Sequence, residues 1–259
     1  MIDLLIDIGN SRIKLALVED NEYEYLGAFS VENLLSEVVA QTFLEQLDFT
    51  PQHIFIASVS TESIEMEVRN AIAVKWGLLP IFMSTQQECC DVKNGYEKPF
   101  QLGVDRWLAL LGARSLTKGD FIVVDAGTAI TVDHVYQGSH QGGFIVPGLT
   151  TLRKSLTSST ANLSSDCSGM TSESQVSRPA KFMATDTQSA ICGGTLYMAS
   201  AFVNSLLSDL IIQSQHQPNI YFTGGDGNLL SSLLNVKSEY IEDLVLLGII
   251  NVKENIKKA

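Results

Sequence analysis

Apolar and polar positions follow one another along the chain in patterns that predict a mixed α/β protein. Short apolar runs at residues 2–7 and 13–18, on either side of Gly9-Asn10, predict a β-hairpin, and residues 23–29 can add a third strand. Apolar residues at helical spacing predict helices farther along. The other elements predicted for this half are a helix at 31–47, a strand at 53–58, a helix at 62–76, a strand at 79–83, an irregular stretch at 91–99 and a helix at 104–116.

The hairpin pattern starts again at residue 121 and continues to residue 135, after a break at Thr117-Lys118-Gly119-Asp120. A turn at 137–141 leads into a glycine-rich segment at 142–148. Residues 157–177 are rich in Ser and Thr, show little periodicity and are predicted to form a loop. The last predicted elements are a helix at 187–205, a strand at 219–222 and a helix at 244–257.

One internal similarity organises the whole chain. Asp7-Ile8-Gly9-Asn10-Ser11 recurs in altered form as Asp125-Ala126-Gly127-Thr128-Ala129, 118 residues later (125 − 7), and apolar runs flank both copies. We therefore expect two related α/β halves, residues 1–117 and 118–259, each built on a mixed β-sheet flanked by helices. A cleft is expected between these halves.

Both copies contain the parts of a phosphate-binding turn. Glycine lets the backbone approach a ligand, and successive amide N–H groups can then point at anionic oxygens. A carboxylate at the strand end, Asp7 or Asp125, can hold a magnesium ion through its waters, and Lys14 can neutralise phosphate charge. Such turns also occur in ordinary hairpins. The recurrence of the same polar positions favours phosphate binding, with two hairpins that bind a nucleoside triphosphate from opposite sides.

A third glycine-containing strand end follows the second hairpin. Thr223-Gly224-Gly225 ends an apolar strand before a predicted helix, which allows a flat nucleoside to lie close to the backbone. The order of two phosphate loops followed by an adenosine loop resembles the order in actin-like ATPases.

Asp105 and Arg106 lie at the predicted start of the helix at 104–116, where free amides and the helix dipole favour anions. Arg106 can bind a carboxylate through two parallel hydrogen bonds. Asp105 can accept a hydroxyl proton during phosphoryl transfer. The simpler interpretation is that both residues only cap and solvate the first helical turn. Their position at the junction of the two halves favours the chemical role.

Composition narrows the range of partners. The formal net charge of −12 on 259 residues argues against non-specific binding to nucleic acid or to an anionic membrane. The chain has no basic leader and no run of about 18 apolar residues. We therefore expect a cytoplasmic protein without a transmembrane helix.

Cysteine and histidine spacing indicates no metal or disulfide chemistry. The four cysteines, Cys89, Cys90, Cys167 and Cys192, match neither a disulfide framework nor a zinc knuckle. We expect reduced thiols without a special role. The four histidines show no metal-ligand spacing, and no chemistry is assigned to them.

These motifs, in this order, resemble those of type III pantothenate kinases, which belong to the superfamily of acetate and sugar kinases, heat-shock chaperone ATPases and actin. The resemblance implies two ribonuclease H-like halves with a cleft between them. It also implies ATP-dependent phosphorylation of pantothenate to 4′-phosphopantothenate, the first step of coenzyme A biosynthesis. The matching segments cover nearly the whole chain: residues 7–14, 102–106, 125–129, 142–148, 187–191 and 223–225.

The resemblance implies a role for each matching residue. The residues implied to bind ATP are Asp7, Ile8, Gly9, Asn10, Ser11, Arg12, Ile13, Lys14, Thr128, Gly224 and Gly225. Those implied to bind pantothenate are Tyr96, Gly103, Val104, Asp105, Arg106 and Thr187. Asp105 would be the proton acceptor, and Arg106 would bind the pantothenate carboxylate. Asp125 would hold the monovalent cation, K⁺ or NH₄⁺, that the family requires besides Mg²⁺. The pantothenate pocket would lie at a homodimer interface.

Several alternatives stay open. Tyr96 could pack on the surface, and Thr187 could simply cap a helix. Ser11 stands where the family more often has Thr, and it keeps the hydroxyl. For the whole chain, the alternatives are a kinase of the same fold with another small acceptor, such as a sugar or a carboxylic acid, and a non-catalytic nucleotide-binding regulator. The segment Gly103–Arg106 favours pantothenate, and a regulator would not need Asp105 and Arg106 in the cleft.

Overall fold

The computed structural model describes residues 2–20, 22–31, 44, 47–158, 167, 183–214 and 216–258. The strands are β1 (Ile2–Ile8), β2 (Arg12–Glu19), β3 (Glu22–Ser30), β4 (His53–Ser58), β5 (Ile81–Phe82), β6 (Glu88–Cys89), β7 (Val92–Lys93), β8 (Phe121–Ala126), β9 (Ala129–Tyr136), β10 (Ser139–Pro147), β11 (Asn219–Thr223) and β12 (Glu239–Tyr240). The helices are α1 (Glu62–Trp76), α2 (Val104–Leu116), α3 (Leu149–Ser158), α4 (Thr187–Ser214), α5 (Gly227–Leu233) and α6 (Leu244–Lys258), with a 3-10 helix at Pro99–Gln101.

The chain forms two compact units. The first comprises Met1–Lys118, Gly138–His140 and Asp243–Ala259, and the second comprises Gly119–Gln137 and Gln141–Glu242. The C-terminal helix α6 is therefore part of the first unit, although it follows the second unit in sequence. The domain boundary between residues 117 and 118 stays a prediction.

The first unit contains a five-stranded sheet in the order β3-β2-β1-β4-β5. Its strands β1, β2 and β3 pair antiparallel, whereas β1 pairs parallel with β4 and β4 with β5. The central strand β1 is apolar at nearly every position, and Leu4, Leu5, Ile6 and Ile8 are almost fully buried. Such a continuous apolar run is typical of a strand that is covered on both faces.

The second unit repeats this arrangement. Strands β10-β9-β8-β11-β12 lie in this order in a seven-stranded sheet, which β7 and β6 extend beyond β10, and β8 is antiparallel to β9 and parallel to β11. Apolar residues of β8 pack against the inner face of α4 and against α5 in one core cluster, which includes Ile122, Val124, Val203, Leu207 and Leu230. The predicted α/β class, with a mixed sheet in each half, is confirmed. The first and second hairpins occupy equivalent places in the two sheets.

Two helices of the first unit approach each other so closely that their backbones touch. A side chain at Gly248 of α6 would overlap the carbonyl oxygen of Leu108 in α2, and one at Gly112 would overlap the carbonyl oxygen of Leu244. Asn251 adds a hydrogen bond from Nδ2 to the carbonyl oxygen of Leu111, at 2.8 Å. The two glycines therefore set the distance between α2 and α6.

A buried ion pair joins α6 to the sheet. Asp3 on β1 is 2% exposed and binds Lys253 of α6, and His53 Nδ1 lies 2.9 Å from Asp3 Oδ1. Burial by itself would raise the pKa of Asp3, but the hydrogen bonds from Lys253 and His53 outweigh it and lower that pKa below its usual value. The carboxylate is therefore ionised and bound in the folded state.

Several predicted bounds differ from the structure. The predicted helix at 31–47 lies outside the described residues except for Val31, Leu44 and Leu47, and so does most of the predicted loop at 157–177. Helix α4 continues nine residues past its predicted end (214 − 205). Residues 137–138 form a turn as predicted, but strand β10 occupies the rest of the predicted turn and most of the glycine-rich segment, and helix α3 was not predicted. Strand β10 lies beside β9 in the sheet, and Arg153 of α3 donates to the Thr195 hydroxyl of α4.

Within the described part of the chain, α4 is the one helix that is long and apolar enough to cross a membrane, as judged by length and composition. No transmembrane helix is expected from the sequence. Part of its apolar surface belongs to the core of the second unit, which includes Leu196, Ala199 and Val203, whereas Tyr197 and Met198 are exposed. Helix α4 thus has a buried apolar side and a second, exposed apolar side.

The contact between α2 and α6 predicts a specific sensitivity to added methyl groups. We expect Gly248→Ala to lower the free energy of unfolding by about 1–3 kcal/mol, since the new Cβ must push two backbones apart. As a matched control, Gly194→Ala changes a helical glycine of α4 whose Cβ position has no neighbour within 4 Å. It should be neutral or stabilise by about 0.5–1 kcal/mol. Urea denaturation followed by circular dichroism measures both, and equal effects would contradict the close contact.

The pKa of Asp3 predicts how stability varies with pH. Because its pKa is lower in the folded state, the carboxylate stabilises the fold at pH values above about 4, its unfolded pKa, and this contribution disappears as the pH falls through the folded pKa. Asp3→Asn should therefore be destabilising at pH 7 and progressively less so below about pH 4. The control is Asp91→Asn, because Asp91 pairs with Lys118 at 3.6 Å while both side chains are 83% exposed. That exposed pair should contribute about 0–1 kcal/mol at most.

Candidate functional site

The first hairpin places an acidic and a basic residue side by side. Asp7 of β1 pairs in register with Lys14 of β2, so their side chains lie on the same face of the sheet. Asp7 is 8% exposed, whereas Asn10, Ser11 and Arg12 in and after the turn are exposed. The turn thus exposes polar side chains to solvent, next to the strand that carries the buried Asp7 carboxylate.

The second hairpin has a similar internal hydrogen bond, in a turn that is one residue shorter. The amide of Gly9 donates to the carbonyl oxygen of Arg12, and that of Gly127 donates to Ala129, both at 2.9 Å. Each glycine amide therefore closes its own turn, and the phosphate-binding role of both hairpins stays a prediction.

The Thr223-Gly224-Gly225 segment lies directly beside the second hairpin. Thr223 of β11 pairs in register with Asp125 of β8. Gly224 has φ +84°, and a Cβ there would lie 2.5 Å from the carbonyl oxygen of Ala126. The amide of Asp226 donates to that same oxygen at 2.9 Å. The second unit therefore brings its phosphate-loop and adenosine-loop candidates together.

The Gly142–Gly148 segment also reaches this hairpin. The amide of Gly148 donates to the carbonyl oxygen of Thr128 at 3.0 Å, and the Thr151 hydroxyl donates to the same oxygen at 2.7 Å. These bonds hold the backbone of Thr128 at the start of α3, and its side chain is exposed to solvent. Three of the segments singled out in the sequence thus meet in the second unit.

Helix α2 begins at the Gly-Val-Asp-Arg segment. Gly103 is the N-cap, and the Asp105 Oδ1 accepts the backbone N–H of Arg106 at 2.7 Å. A Cβ at Gly103 would lie 2.6 Å from Asp105 Oδ1. Glycine at this position therefore leaves room for the carboxylate at the first turn of the helix, where the dipole stabilises its negative charge.

Arg106 is a buried cation with an aromatic partner. The side chain is 7% exposed, its Nη1 donates to the Tyr96 hydroxyl at 2.9 Å, and its Cζ lies 5.8 Å from the Tyr96 ring centroid. Tyr96 therefore does more than pack on the surface, which was the alternative interpretation of this residue. The phenol and the guanidinium form one polar group at the start of α2, which can recognise an anion through charge-assisted hydrogen bonds.

Two residues that hold Tyr96 were missed in the sequence. Asn94 is buried, accepts the Tyr96 amide at 2.9 Å and donates through Nδ2 to the Gln86 carbonyl oxygen at 3.2 Å. His140 is buried and stacks on the Tyr96 ring, with centroids 5.9 Å apart and planes 10° apart. Asn94-Gly95 is a recognisable turn signal. His140 has no local signal, since its partner lies 44 residues away (140 − 96).

Thr187 is the first residue of α4 and is exposed. The residue that caps this helix is Asp186, whose Oδ1 accepts the Ser189 amide at 2.8 Å. That backbone hydrogen bond is the main cause that lowers the pKa of Asp186. The plain capping role is therefore filled by Asp186, and the pantothenate-binding role of Thr187 stays a prediction.

The expectation of reduced cysteines is wrong for one pair. Cys167 and Cys192 form a disulfide, and Cys192 is fully buried in α4. The sequence could not show it because 25 residues separate the two cysteines and neither lies in a recognised spacing motif. Cys89 and Cys90 are free.

The chain resembles one family of known proteins throughout its length. A family model described as type III pantothenate kinase matches residues 3–209. A type III pantothenate kinase of Hydrogenovibrio crunogenus is 36% identical over 255 residues, which cover 98% of this chain and 99% of that protein.

Solved structures are similar as well. One described as a Baf family transcriptional activator, from Campylobacter jejuni, is 25% identical, with a TM-score of 0.60 and coverage of 99% of this chain and 100% of that one. MreB 5 of Spiroplasma citri has a TM-score of 0.50 at 11% identity, with coverage of 99% and 97%, a likeness in fold alone. The fold is that of the actin-like ATPases. The chain belongs to the type III pantothenate kinase family.

Proposed function

We propose that this protein transfers the γ-phosphoryl group of ATP to the primary hydroxyl of pantothenate. Family membership supports the reaction, and the observation that carries it to particular residues is the buried Arg106 with Asp105 beside it at the start of α2. Burying a cation is costly unless it is paired or hydrogen-bonded. A guanidinium held next to a carboxylate at a helix N-terminus suits an acceptor that has both an acid group and a hydroxyl.

Arg106 and Tyr96 bind the pantothenate carboxylate. The planar guanidinium offers several donors in a fixed arrangement, and the Tyr96 hydroxyl 2.9 Å away orients it. Asn94 holds Tyr96 through a hydrogen bond from the Tyr96 amide, and His140 stacks on the Tyr96 ring. Gly103, Val104 and Thr187 are the other residues proposed to bind pantothenate.

Asp105 orients the acceptor hydroxyl and takes its proton. A loose phosphoryl-transfer transition state depends on alignment and charge neutralisation more than on a strong base. The helix dipole favours the ionised carboxylate. Its Oδ1 already accepts the Arg106 amide, which holds the carboxylate at the first turn of α2.

The two hairpins and the Thr223-Gly224-Gly225 segment bind ATP. Lys14, in register with Asp7, neutralises phosphate charge in the first unit. Thr128 and the close-packed Gly224 form the nucleotide surface of the second unit. This proposal assigns the phosphates to the hairpin turns and the adenosine to the glycine segment.

Mg²⁺ and a monovalent cation, K⁺ or NH₄⁺, belong to the proposed reaction. The carboxylates of Asp7 and Asp125 at the strand ends are hard oxygen ligands that suit both ions. No group of three or more His, Cys, Asp or Glu residues that could hold an ion occurs among the described residues. This fits ions that complete their coordination with nucleotide oxygens and water, as Mg²⁺ prefers. When bound, the ions neutralise charge on the phosphates.

A homodimer is part of the proposal. Tyr197, Met198 and Ile212 of α4 are 68%, 51% and 75% exposed, an unusual number of large apolar groups on one helix. A second copy of the chain that covers this side would remove them from water, and Thr187 stands at the beginning of the same helix. The acidic chain is proposed to work in the cytoplasm, without nucleic acid or membrane partners.

The alternative of a non-catalytic regulator has one observation in its favour, the likeness to a protein described as a transcriptional activator. The net charge of −12 argues against DNA contact. A kinase for another small acceptor keeps the same fold and differs only at the Arg106 site.

One assay tests the proposed function. Purified protein with ATP, Mg²⁺, K⁺ and pantothenate should yield phosphopantothenate and ADP in equal amounts, as measured by mass spectrometry. Other small carboxylic acids and sugars serve as alternative acceptors in parallel reactions. Nucleotide binding without phosphorylation of any acceptor would favour the regulator, and faster transfer to a different acceptor would overturn the assignment of pantothenate.

Asp105→Asn should lower turnover by about 10²–10⁴-fold and change pantothenate affinity little. Asparagine keeps an oxygen that can accept the Arg106 amide, so the start of α2 is preserved, but it cannot take the proton. Steady-state kinetics gives the two quantities separately. Turnover equal to that of the wild type would exclude Asp105 as proton acceptor.

Arg106→Lys should weaken pantothenate binding by about 10- to 100-fold, since an ammonium keeps the charge but loses the planar pair of donors. Isothermal titration calorimetry measures this effect, and ATP affinity in the same variant serves as the control for an intact fold. Arg12→Lys is the matched substitution at an exposed arginine of the first hairpin. It should leave pantothenate affinity unchanged. Equal pantothenate affinity in Arg106→Lys and wild type would exclude the carboxylate contact.

A further inference from the structure

Cys89 and Cys90 occupy a strained turn. Cys89 of β6 pairs with Val92 of β7, so Cys90 and Asp91 alone connect the two strands. The backbone of both residues is in the left-handed region, with φ +52° for Cys90 and +60° for Asp91. Two-residue turns of this kind favour Asn-Gly, and residues with a Cβ adopt this backbone at a cost. The turn therefore holds two adjacent cysteines in a conformation that their residue type does not favour.

The backbone of this turn brings the two sulfur atoms together. The Sγ atoms lie 3.4 Å apart, and Asn255 Nδ2 of α6 lies 3.8 Å from the Cys89 Sγ. Cys89 is buried, whereas Cys90 is half-buried and next to the exposed Asp91. The hydrogen bond from the Cys90 thiol is the main cause that lowers the pKa of Cys89 to about 7, and the same pairing raises the pKa of Cys90. The Cys90 thiol therefore stabilises a thiolate at Cys89.

This spacing suits chelation better than a disulfide. Two sulfurs bound to one soft ion at about 2.3 Å each, with a tetrahedral angle, lie about 3.8 Å apart, close to the separation in the turn. A disulfide usually joins Cα atoms about 4.4–6.8 Å apart, whereas neighbouring Cα atoms in a trans peptide are about 3.8 Å apart. No third His, Cys, Asp or Glu joins the pair in a cluster within the described residues, which disfavours a four-ligand zinc site.

We propose that Cys89 and Cys90 form a two-sulfur site for trivalent arsenicals. In the reaction with an organic arsenoxide, two S–H bonds and the arsenic–oxygen bond are broken, two arsenic–sulfur bonds form, and one water leaves. Arsenic stays trivalent, so no oxidant is needed. The ligand enters from the side of Cys90 and Asp91, where the turn is exposed.

An occupied site acts on the acceptor-binding residues, and this part of the proposal rests on the proposed function. Strand β7 continues into Asn94, whose amide donates to the Gln87 carbonyl oxygen at 2.8 Å and whose side chain holds Tyr96. Asn255 and the buried Val92 lie behind the turn. An arsenic atom added at the sulfurs therefore displaces the hairpin toward its solvent side, and Tyr96 and Arg106 with it. Loaded protein should have a several-fold higher KM for pantothenate.

The test uses phenylarsine oxide with the full-length protein under non-reducing conditions. Intact-mass spectrometry should show one adduct per chain, which dithiothreitol removes and 2-mercaptoethanol does not. Cys89→Ser and Cys90→Ser should each weaken binding by roughly 10²-fold or more, because a single thiol loses the chelate. Cys192→Ser, which opens the disulfide, should keep the adduct at Cys89 and Cys90.

The possible results distinguish binding at Cys89 and Cys90 from the effect of that binding on the KM for pantothenate. An adduct that persists in Cys89→Ser or Cys90→Ser would overturn the site, whatever the activity of the protein. An adduct lost in both variants, together with an unchanged KM for pantothenate in loaded wild type, would keep the site and overturn its link to Tyr96. Mass measurement needs no kinase activity, so a failure of the proposed function leaves the test of the site intact.

Discussion

The backbone contact between α2 and α6 is the constraint on which the first unit depends. Gly112 and Gly248 let the two helices touch without side chains between them. Helix α6 is in turn bound to the central strand β1 through Lys253 and Asp3. The position of α2, and with it the direction of its first turn, is therefore fixed by residues more than 130 positions away in sequence (248 − 112 = 136). The contact therefore also determines where Asp105 and Arg106 lie.

The same strand arrangement occurs in both units. Strands β10-β9-β8-β11-β12 of the second sheet follow the order of the five strands in the first, and an Asp-x-Gly hairpin lies at the centre of each arrangement. The two hairpins differ opposite the aspartate, where the first has Lys14 and the second has Thr131. The second hairpin also packs against Gly224, so its proposed role includes the nucleoside as well as the phosphates.

Local pattern was sufficient for much of the fold. Helices α1 and α2 begin and end where the sequence predicts: α1 has one buried side and ends at Gly77, whereas α2 is buried on all sides between Arg106 and Arg114. Strand β10 and helix α3 were not predicted, since glycines and threonines have weak preferences and the order of these segments depends on β9 and on α4. In the candidate site, motifs in the sequence indicate the residues with chemical groups, and their roles stay predictions. Asn94, His140 and the Cys167–Cys192 disulfide were not found from motifs, because their roles exist only through contacts in space.

The burial of Arg106 has a consequence for how binding would respond to the medium. Its guanidinium loses hydration and side-chain freedom when the protein folds, so little of either remains to be lost when an acid arrives. Mobile ions screen buried charges far less than exposed ones. The proposed binding of an acid by Arg106 should therefore vary weakly with ionic strength, whereas attraction of an anion by the exposed Arg12 should vary more. The free energy needed to desolvate and order the Arg106 guanidinium is supplied when the protein folds and not when the acid binds.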